Sequence, residues 1–258
     1  MQTVAALILL ITQVALGQDY RMAVEGQIYP LDMAPNSVDD QYDGCREKMS
    51  NLVSNEFLKK EISRNTEFAK AWKEGERNAT KQSDNLTRNH SIAIYAYTGK
   101  RVYEDFNAAV RSDKQKYKKR TFAWYSLHFL LTEAIQILNK TKEDCHFTYR
   151  RNKVEFDKAV LNKEVRFGSF TSSTLGQKPK TIFGNVSCFE IKTCEGAYVA
   201  KYSVHPDEKE VLIPPYEKFK VTDIKKKGEK DAWCDTVYVL KSSGRRSDLN
   251  CSVASLAP

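Results

Sequence analysis

The first half of the chain carries hydrophobic residues at the three- and four-residue spacing of amphipathic helices. The clearest example is 123–138, where Leu127, Leu131 and Ile135 fall on one face. The polar stretch 74–89 interrupts this spacing and predicts a surface loop between helices. Five helices are predicted, over residues 46–60, 66–74, 89–97, 102–111 and 123–138.

The pattern changes after Cys145. From there on, short runs rich in β-branched and aromatic residues are separated by turn residues, which is typical of strands. Eight strands are predicted, over residues 147–151, 164–173, 181–183, 186–194, 197–202, 210–213, 218–221 and 236–240. Helices followed by strands predict one α+β domain over residues 18–258. Its helical part, at about 38–140, packs on a β-sandwich-like part at about 145–245.

The two ends of the chain predict a secreted protein. Residues 1–17 resemble a signal peptide, because the apolar stretch 5–15 is followed by Ala15-Leu16-Gly17 with small residues at the cleavage positions. That stretch is too short to span a bilayer, and no later segment resembles a span. The C-terminus has no hydrophobic tail, so we expect release without a lipid anchor.

Cysteines and glycosylation sequons agree with this location. An even cysteine count in a secreted chain predicts three disulfides, with fifteen pairings open. No cysteine pair has zinc-ligand spacing, so no metal is expected. The six cysteines are Cys45, Cys145, Cys188, Cys194, Cys234 and Cys251. The six predicted glycosylation sites are Asn78, Asn85, Asn89, Asn139, Asn185 and Asn250.

The net charge of +8 is concentrated in two basic clusters, 114–120 and 225–230. Such clusters bind nucleic acid in some proteins, but here no aromatic stacking pattern accompanies them. We therefore expect a solvated basic surface and no nucleic-acid partner. A mild positive field still favours anionic ligands such as a dinucleotide.

Three predicted strands each carry a distinctive polar group. Tyr149-Arg150-Arg151 follows Cys145, the second group is 170–174 around Ser172, and the third is Glu208-Lys209-Glu210. On an extended segment, Glu208 and Glu210 would lie on one side and face one ligand together. One carboxylate can then stabilise a sugar cation while the other handles a proton. Taken singly, each group is also common on solvated surfaces.

The ordered set resembles the Arg–Ser–Glu-x-Glu signature of the secreted and surface-bound mono-ADP-ribosyltransferases that modify arginine. Four further blocks look like blocks of the same family, and together they run over nearly the whole chain after residue 17. These blocks are 39–45, 166–168, 191–197 and 210–217. An ordered set with such flanks is far more specific than scattered Arg, Ser and Glu residues.

The resemblance implies NAD as the donor, a protein arginine as the acceptor, and an NAD-binding β-rich core. Breaking the nicotinamide–ribose bond makes an oxocarbenium-like cation, which Glu210 would stabilise. Glu208 would hold and deprotonate the guanidinium, which is otherwise protonated and a poor nucleophile. Arg150 would bind the dinucleotide phosphates. Ser172 would position Glu210 or the nicotinamide ribose.

One position departs from the family pattern. Many relatives have Gly after the strand arginine, where this chain has Arg151. The family contact from that position to nicotinamide is made by the backbone, so a side chain is compatible with it. Phe183 is a candidate for stacking on nicotinamide, although Phe on a strand more often belongs to a core. The expected NAD-binding residues are Tyr149, Arg150, Arg151, Ser172, Phe183 and Glu210.

The family pattern also implies the disulfides Cys45–Cys251 and Cys145–Cys194, which leaves Cys188 and Cys234 as the third pair. Two alternatives to the transferase stay open. An NAD glycohydrolase would use water in place of arginine at the same site. The second alternative is an inactive secreted binding protein on this fold. The presence of all four polar site residues argues against it. Acceptance of NADP is not predicted either way.

Overall fold

The computed structural model describes residues 27–256, apart from residue 82 and residues 141–143. The predicted signal peptide, residues 1–17, lies outside the described residues. The described chain folds into a helical layer followed by a strand-rich layer. The predicted α+β class is therefore confirmed. The single-domain boundaries 18–258 stay a prediction.

Seven α-helices are described; all but α6 lie at predicted helical positions, and α6 lies in the basic cluster 114–120, for which no helix was predicted. The first two are joined by a π-helical turn, Val53–Phe57, into one continuous helical stretch. The helices are α1 Arg46–Leu52, α2 Leu58–Arg64, α3 Thr66–Asn78, α4 Arg88–Thr98, α5 Tyr103–Ser112, α6 Lys114–Lys118 and α7 Tyr125–Asn139.

The beginning of α7 shows how a buried acid sets a helix boundary. Tyr125 N and Ser126 N donate hydrogen bonds to the two carboxylate oxygens of Glu61, at 2.7 and 3.1 Å. A carboxylate in this position satisfies backbone donors that have no partner within the helix. Burial nevertheless raises the pKa of Glu61 to about 8.

Ten strands form an eight-stranded sheet and a separate two-stranded pair. The large sheet has the order β4-β9-β10-β6-β2-β5-β8-β7, and its neighbours are antiparallel except for β6 and β10. Because these strands form one curled sheet, the predicted description as a β-sandwich is only approximate. The strands are β1 Ile28–Tyr29, β2 His146–Asn152, β3 Glu155–Phe156, β4 Glu164–Val165, β5 Thr171–Leu175, β6 Ser187–Thr193, β7 Ala197–Tyr198, β8 Glu210–Ile213, β9 Glu217–Lys226 and β10 Thr236–Arg245.

Several predicted boundaries were wrong for local reasons. Residues Thr181–Phe183 and Ala200–Tyr202 form 3₁₀ turns rather than strand. The predicted strand 164–173 divides into β4 and β5. Helix α3 continues to Asn78, which shortens the predicted loop 74–89. Each error concerns a short polar or aromatic run, in which local composition is a weak guide.

Two main hydrophobic clusters hold the layers together. The larger cluster joins the helices to the sheet through Phe170 and Leu212. The smaller cluster packs behind the sheet around Phe189, Ile213 and Tyr238. Leu212 and Ile213 are neighbours on β8 and enter different clusters, because successive side chains of a strand point to opposite faces. Strand β8 is consequently buried on both sides, which fixes its first residue, Glu210, in place.

Three disulfides cross-link the chain: the two pairs that the family pattern implies, and the third pair that was left by elimination. Cys45–Cys251 connects the start of α1 to the segment after β10, across a sequence separation of 206. Cys145–Cys194 connects the adjoining ends of β2 and β6. Cys188–Cys234 connects β6 to the loop before β10.

Candidate active site

The sheet separates between β2 and β5, and this split forms the centre of the site. Pairing of these strands covers only Thr148 with Leu175 and Tyr149 with Thr174. Beyond Tyr149, β2 continues to Asn152 along β6 alone. The Arg150 guanidinium bridges the split, with Nη1 donating to the Ser172 carbonyl oxygen at 2.7 Å.

Strand β8 brings Glu210 to the same place. Its register sets Glu210 opposite Thr174 and Leu212 opposite Ser172. Residues at alternate positions share a face, so Ser172, Thr174 and Glu210 lie on one face of this strand pair. The hydroxyls of Ser172 and Thr174 are buried and form no hydrogen bond to any described residue. Two buried, unpaired hydroxyls beside a carboxylate suit a polar ligand.

Glu210 lies in a desolvated position, with only 3% of its surface exposed. Burial raises its pKa above the ordinary value, while the nearby hydroxyls of Ser172 and Ser203 and the Arg150 guanidinium oppose that shift. Ser203 Oγ donates a hydrogen bond to Glu210 Oε2 at 3.4 Å. The Ser172 hydroxyl also lowers the pKa of Glu210, although it is not hydrogen-bonded to a described residue.

Glu208 does not lie on a strand with Glu210, so the predicted geometry of this pair was wrong. It ends a 3₁₀ turn, Pro206–Glu208, and the next residue, Lys209, is left-handed with φ 49°. A left-handed residue breaks the alternation on which the prediction depended. The turn is anchored because Leu175 N donates to the Lys209 carbonyl oxygen at 3.0 Å.

The turn still brings the two carboxylates close enough to interact. Burial, and secondly the charge of Glu210, raise the pKa of Glu208 to about 8, while Lys180 opposes the shift. Glu208 Oε1 is buried and has no hydrogen-bond partner within the described chain. One oxygen of this half-buried acid is therefore available to a ligand.

Two other predicted NAD-binding residues, Tyr149 and Arg151, lie on one face of β2, and a third, Phe183, lies outside this strand. The Tyr149 ring packs edge-on against Trp233, with centroids 6.0 Å apart. The Arg151 guanidinium lies over the same Trp233 ring, 4.6 Å from its centroid. Both side chains are consequently on the face opposite Arg150. Phe183 is buried in its 3₁₀ turn, and it belongs to neither main hydrophobic cluster.

Three residues near the carboxylates were missed at the sequence level. Thr174 follows Ser172 by two positions, so strand alternation was a usable signal for it. Ser203 precedes Glu210 by seven residues and Lys180 lies in the loop after β5, and no local pattern indicated either residue. Within the described residues, no group of three or more His, Cys, Asp or Glu side chains is arranged to hold a metal ion.

Comparison with known proteins identifies the family. The family model described as NAD:arginine ADP-ribosyltransferase matches residues 31–247. The chain belongs to this family. It is 35% identical to rat T-cell ecto-ADP-ribosyltransferase 1 over 235 residues, covering 87% of this chain and 80% of the relative. It is 34% identical to mouse GPI-linked NAD(P)(+)--arginine ADP-ribosyltransferase 1, covering 90% of this chain and 75% of the relative.

The solved structures agree. The crystal structure of the mono-ADP-ribosyltransferase ART2.2 matches with a TM-score of 0.69 and 32% identity, covering 86% of this chain and 98% of that one. A variant of ART2.2 has also been solved in complex with NAD. The predicted family, enzyme class and co-substrate NAD are therefore confirmed for this ADP-ribosyltransferase. The roles of its individual site residues stay predictions.

Proposed function

We propose that this chain transfers ADP-ribose from NAD to arginine side chains of extracellular proteins and releases nicotinamide. The observation that carries the proposal is the position of Glu210. It is a buried carboxylate with Arg150 and the unpaired Ser172 hydroxyl beside it, and Glu208 is within electrostatic reach.

The residues at the strand split fit a dinucleotide. Arg150 contributes a guanidinium, whose planar donors suit phosphate oxygens. The buried hydroxyls of Ser172 and Thr174 have no partner in the described chain and suit ribose or amide groups. NAD, when bound, supplies the ADP-ribosyl group and a nicotinamide leaving group.

Glu210 would provide electrostatic stabilisation. Positive charge develops at the ribose as its bond to nicotinamide breaks, and a fixed carboxylate opposite that charge lowers the barrier. Since Glu210 is shielded from water, its field is weakened less than that of a surface carboxylate. The Arg150 guanidinium and the Ser203 hydroxyl favour the ionised form that this role requires.

Glu208 would serve the acceptor. Free guanidinium is always protonated in water, so an arginine nucleophile needs a carboxylate that first binds it and then takes its proton. A base transfers protons best when its pKa lies near the working pH, and Glu208 has a pKa of about 8. An incoming cation would itself favour ionisation of Glu208.

The extracellular location rests on the cysteines and on the relatives. Three disulfides with no free cysteine among the described residues fit an oxidising compartment. The similar rat protein is named as an ecto-enzyme, and the similar mouse protein as GPI-linked. Among the residues 27–256 that are described, no helix is long and apolar enough to span a bilayer.

The sequons differ in how well they suit glycan attachment. Asn139 Nδ2 donates to the carbonyl oxygens of Cys194 and Gly196, both at 3.0 Å, and Asn250 Nδ2 donates to Asp43 O. These two amides already serve the fold. We therefore propose glycans at the remaining four sequons, Asn78, Asn85, Asn89 and Asn185, whose asparagines are all exposed.

NAD hydrolysis is the second candidate function, and the pKa of Glu208 favours it as a side activity. A carboxyl with a pKa of about 8 is largely protonated at neutral pH, which weakens arginine activation but not the role of Glu210. The discriminating experiment incubates purified protein with labelled NAD and agmatine. Labelled agmatine supports transfer, free ADP-ribose supports hydrolysis, and unchanged NAD contradicts both.

A further inference from the structure

The Arg151 guanidinium binds a segment of the chain. Its guanidinium donates from Nε to the Pro179 carbonyl oxygen at 2.8 Å, and from Nη1 to Gly184 O at 3.2 Å and Asn185 Oδ1 at 2.8 Å. These acceptors lie at the two ends of segment 179–185. One planar group therefore closes the segment into a loop, as an ammonium with a single donor centre cannot.

This clamp, the Arg151 guanidinium, is itself held in place by its surroundings. Arg151 is only 9% exposed, its guanidinium lies over the Trp233 ring, and Nη1 is 3.2 Å from Cys234 Sγ. Among the described residues Arg151 forms no ion pair. A buried cation held only by neutral acceptors and a ring costs desolvation, which is consistent with its lowered pKa. Because this burial is unfavourable for Arg151 itself, we infer that the side chain serves to position the segment.

The segment that Arg151 closes is adjacent to the proposed site. Strand β5, which carries Ser172 and Thr174, ends at Leu175, four residues before the segment begins, and the charge of Lys180 in the segment lowers the pKa of Glu208. The C-terminal end of the segment packs closely against β2. A Cβ atom added at Gly184 would lie only 2.3 Å from the Asn152 carbonyl carbon. The N-terminal end, which carries Lys180, is held by the hydrogen bond from Arg151 Nε to the Pro179 carbonyl oxygen.

We propose that Arg151 is a positioning residue, which holds segment 179–185 closed against β2 beside the proposed site. This inference rests on the proposed transferase function, since Glu208 is the residue that receives the acceptor there. The side chain that departs from the family's glycine thus has a task of its own in this chain. It acts through Lys180 and does not touch either substrate.

Amide hydrogen exchange tests the clamp without any activity measurement. Phe183 N and Gly184 N donate within the segment, to Lys180 O and Thr181 O, so their exchange reports its opening. We expect Arg151→Met to accelerate exchange at these amides by about tenfold or more. Lys192→Met is the matched control, because Lys192 is a cation packed on the Phe147 ring of the same sheet and should leave the segment unchanged. Unchanged exchange in Arg151→Met would overturn the clamp.

The pH profile of agmatine modification tests the consequence for Glu208. The charged groups that act on Glu208 are Glu210, which raises its pKa, and Lys180, which lowers it. Both Arg151→Met and Lys180→Met should move the rising limb of the profile to higher pH, and only Arg151→Met should also loosen the segment. Arg151→Lys should not restore the wild-type profile. A profile that stays in place in Arg151→Met overturns the positioning role.

The two proposals fail separately. If the wild-type protein modifies no agmatine, the transferase function is wrong, and the exchange experiment still decides whether Arg151 closes the segment. If the wild-type protein transfers normally and Arg151→Met behaves like Lys192→Met in both measurements, only the positioning role is wrong.

Discussion

Glu208 and Glu210 stand on either side of one left-handed residue, Lys209, and differ in their surroundings. Glu210 begins strand β8 and is buried, whereas Glu208 ends a turn and is half-buried. Their charges nevertheless interact, since Glu210 is the second cause of the raised pKa of Glu208. The difference in environment suits them to different tasks, one facing the donor and one facing the acceptor.

Replacement of Glu210 should stop both reactions. Glu210→Gln keeps the size of the side chain but removes the negative charge opposite the ribose, so we expect transfer and NAD hydrolysis to fall about 10²–10³-fold. Both rates are measured with labelled NAD, and the unfolding temperature is the control for folding. Near-normal NAD turnover in a folded variant would remove Glu210 from the mechanism.

Replacement of Glu208 should separate the two reactions. Glu208→Gln removes the base for the guanidinium while Glu210 remains, so transfer to agmatine should be lost and much of the NAD hydrolysis kept. Both activities are assayed on one preparation of the purified variant. An equal loss of transfer and hydrolysis would show that Glu208 is not specific to the acceptor.

The pH dependence of transfer should report Glu208. The group acts as a base only when ionised, and its pKa is about 8, so kcat/KM for agmatine should rise with pH through this value. Hydrolysis should show a weaker rise over the same range, because water attack does not need this carboxylate. A transfer rate already at its plateau at pH 6 would contradict a Glu208 base with a raised pKa.

Removal of one partner from the buried pair Asp39–Arg166 should destabilise the fold strongly. Arg166 Nη1 lies 2.6 Å from Asp39 Oδ2 with both side chains fully buried, and Asp39 Oδ1 also accepts from Asp248 N and Leu249 N. Asp39→Asn leaves a buried cation without its counter-charge, so we expect a loss of about 3–5 kcal/mol in the free energy of unfolding. Urea denaturation measures it.

The matched control for this pair is Arg101→Met. Arg101 also contacts carboxylates, those of Glu67 and Glu74, but its side chain is 40% exposed. Exposed pairs contribute little because water and salt screen them. The urea midpoint should therefore stay close to that of the wild type. Equal destabilisation by Arg101→Met and Asp39→Asn would show that burial of the Asp39–Arg166 pair has no special effect.

Local pattern predicted most elements but misplaced those governed by distant contacts. Helix α7 was predicted because its leucines and isoleucine repeat at helical spacing, and that spacing is a property of the segment itself. The turn Thr181–Phe183 was predicted as a strand because Thr, Ile and Phe favour strands. The Arg151 guanidinium holds both ends of that segment, and no pattern within residues 181–183 contains this information.

The sequence by itself determined the order of helices and strands, the even set of cysteines and the identity of the polar residues that mark the family. These properties depend on residue type and on spacing along the chain. Only the tertiary structure decided that Glu208 lies on a turn, that Arg151 closes segment 179–185, and that the Ser203 hydroxyl and the charge of Lys180 act on the carboxylates. The physical reason is that a local pattern specifies which face a side chain takes on its own element. Which distant groups lie nearby, and hence how strongly a carboxyl is desolvated and charged, depends on how the elements pack.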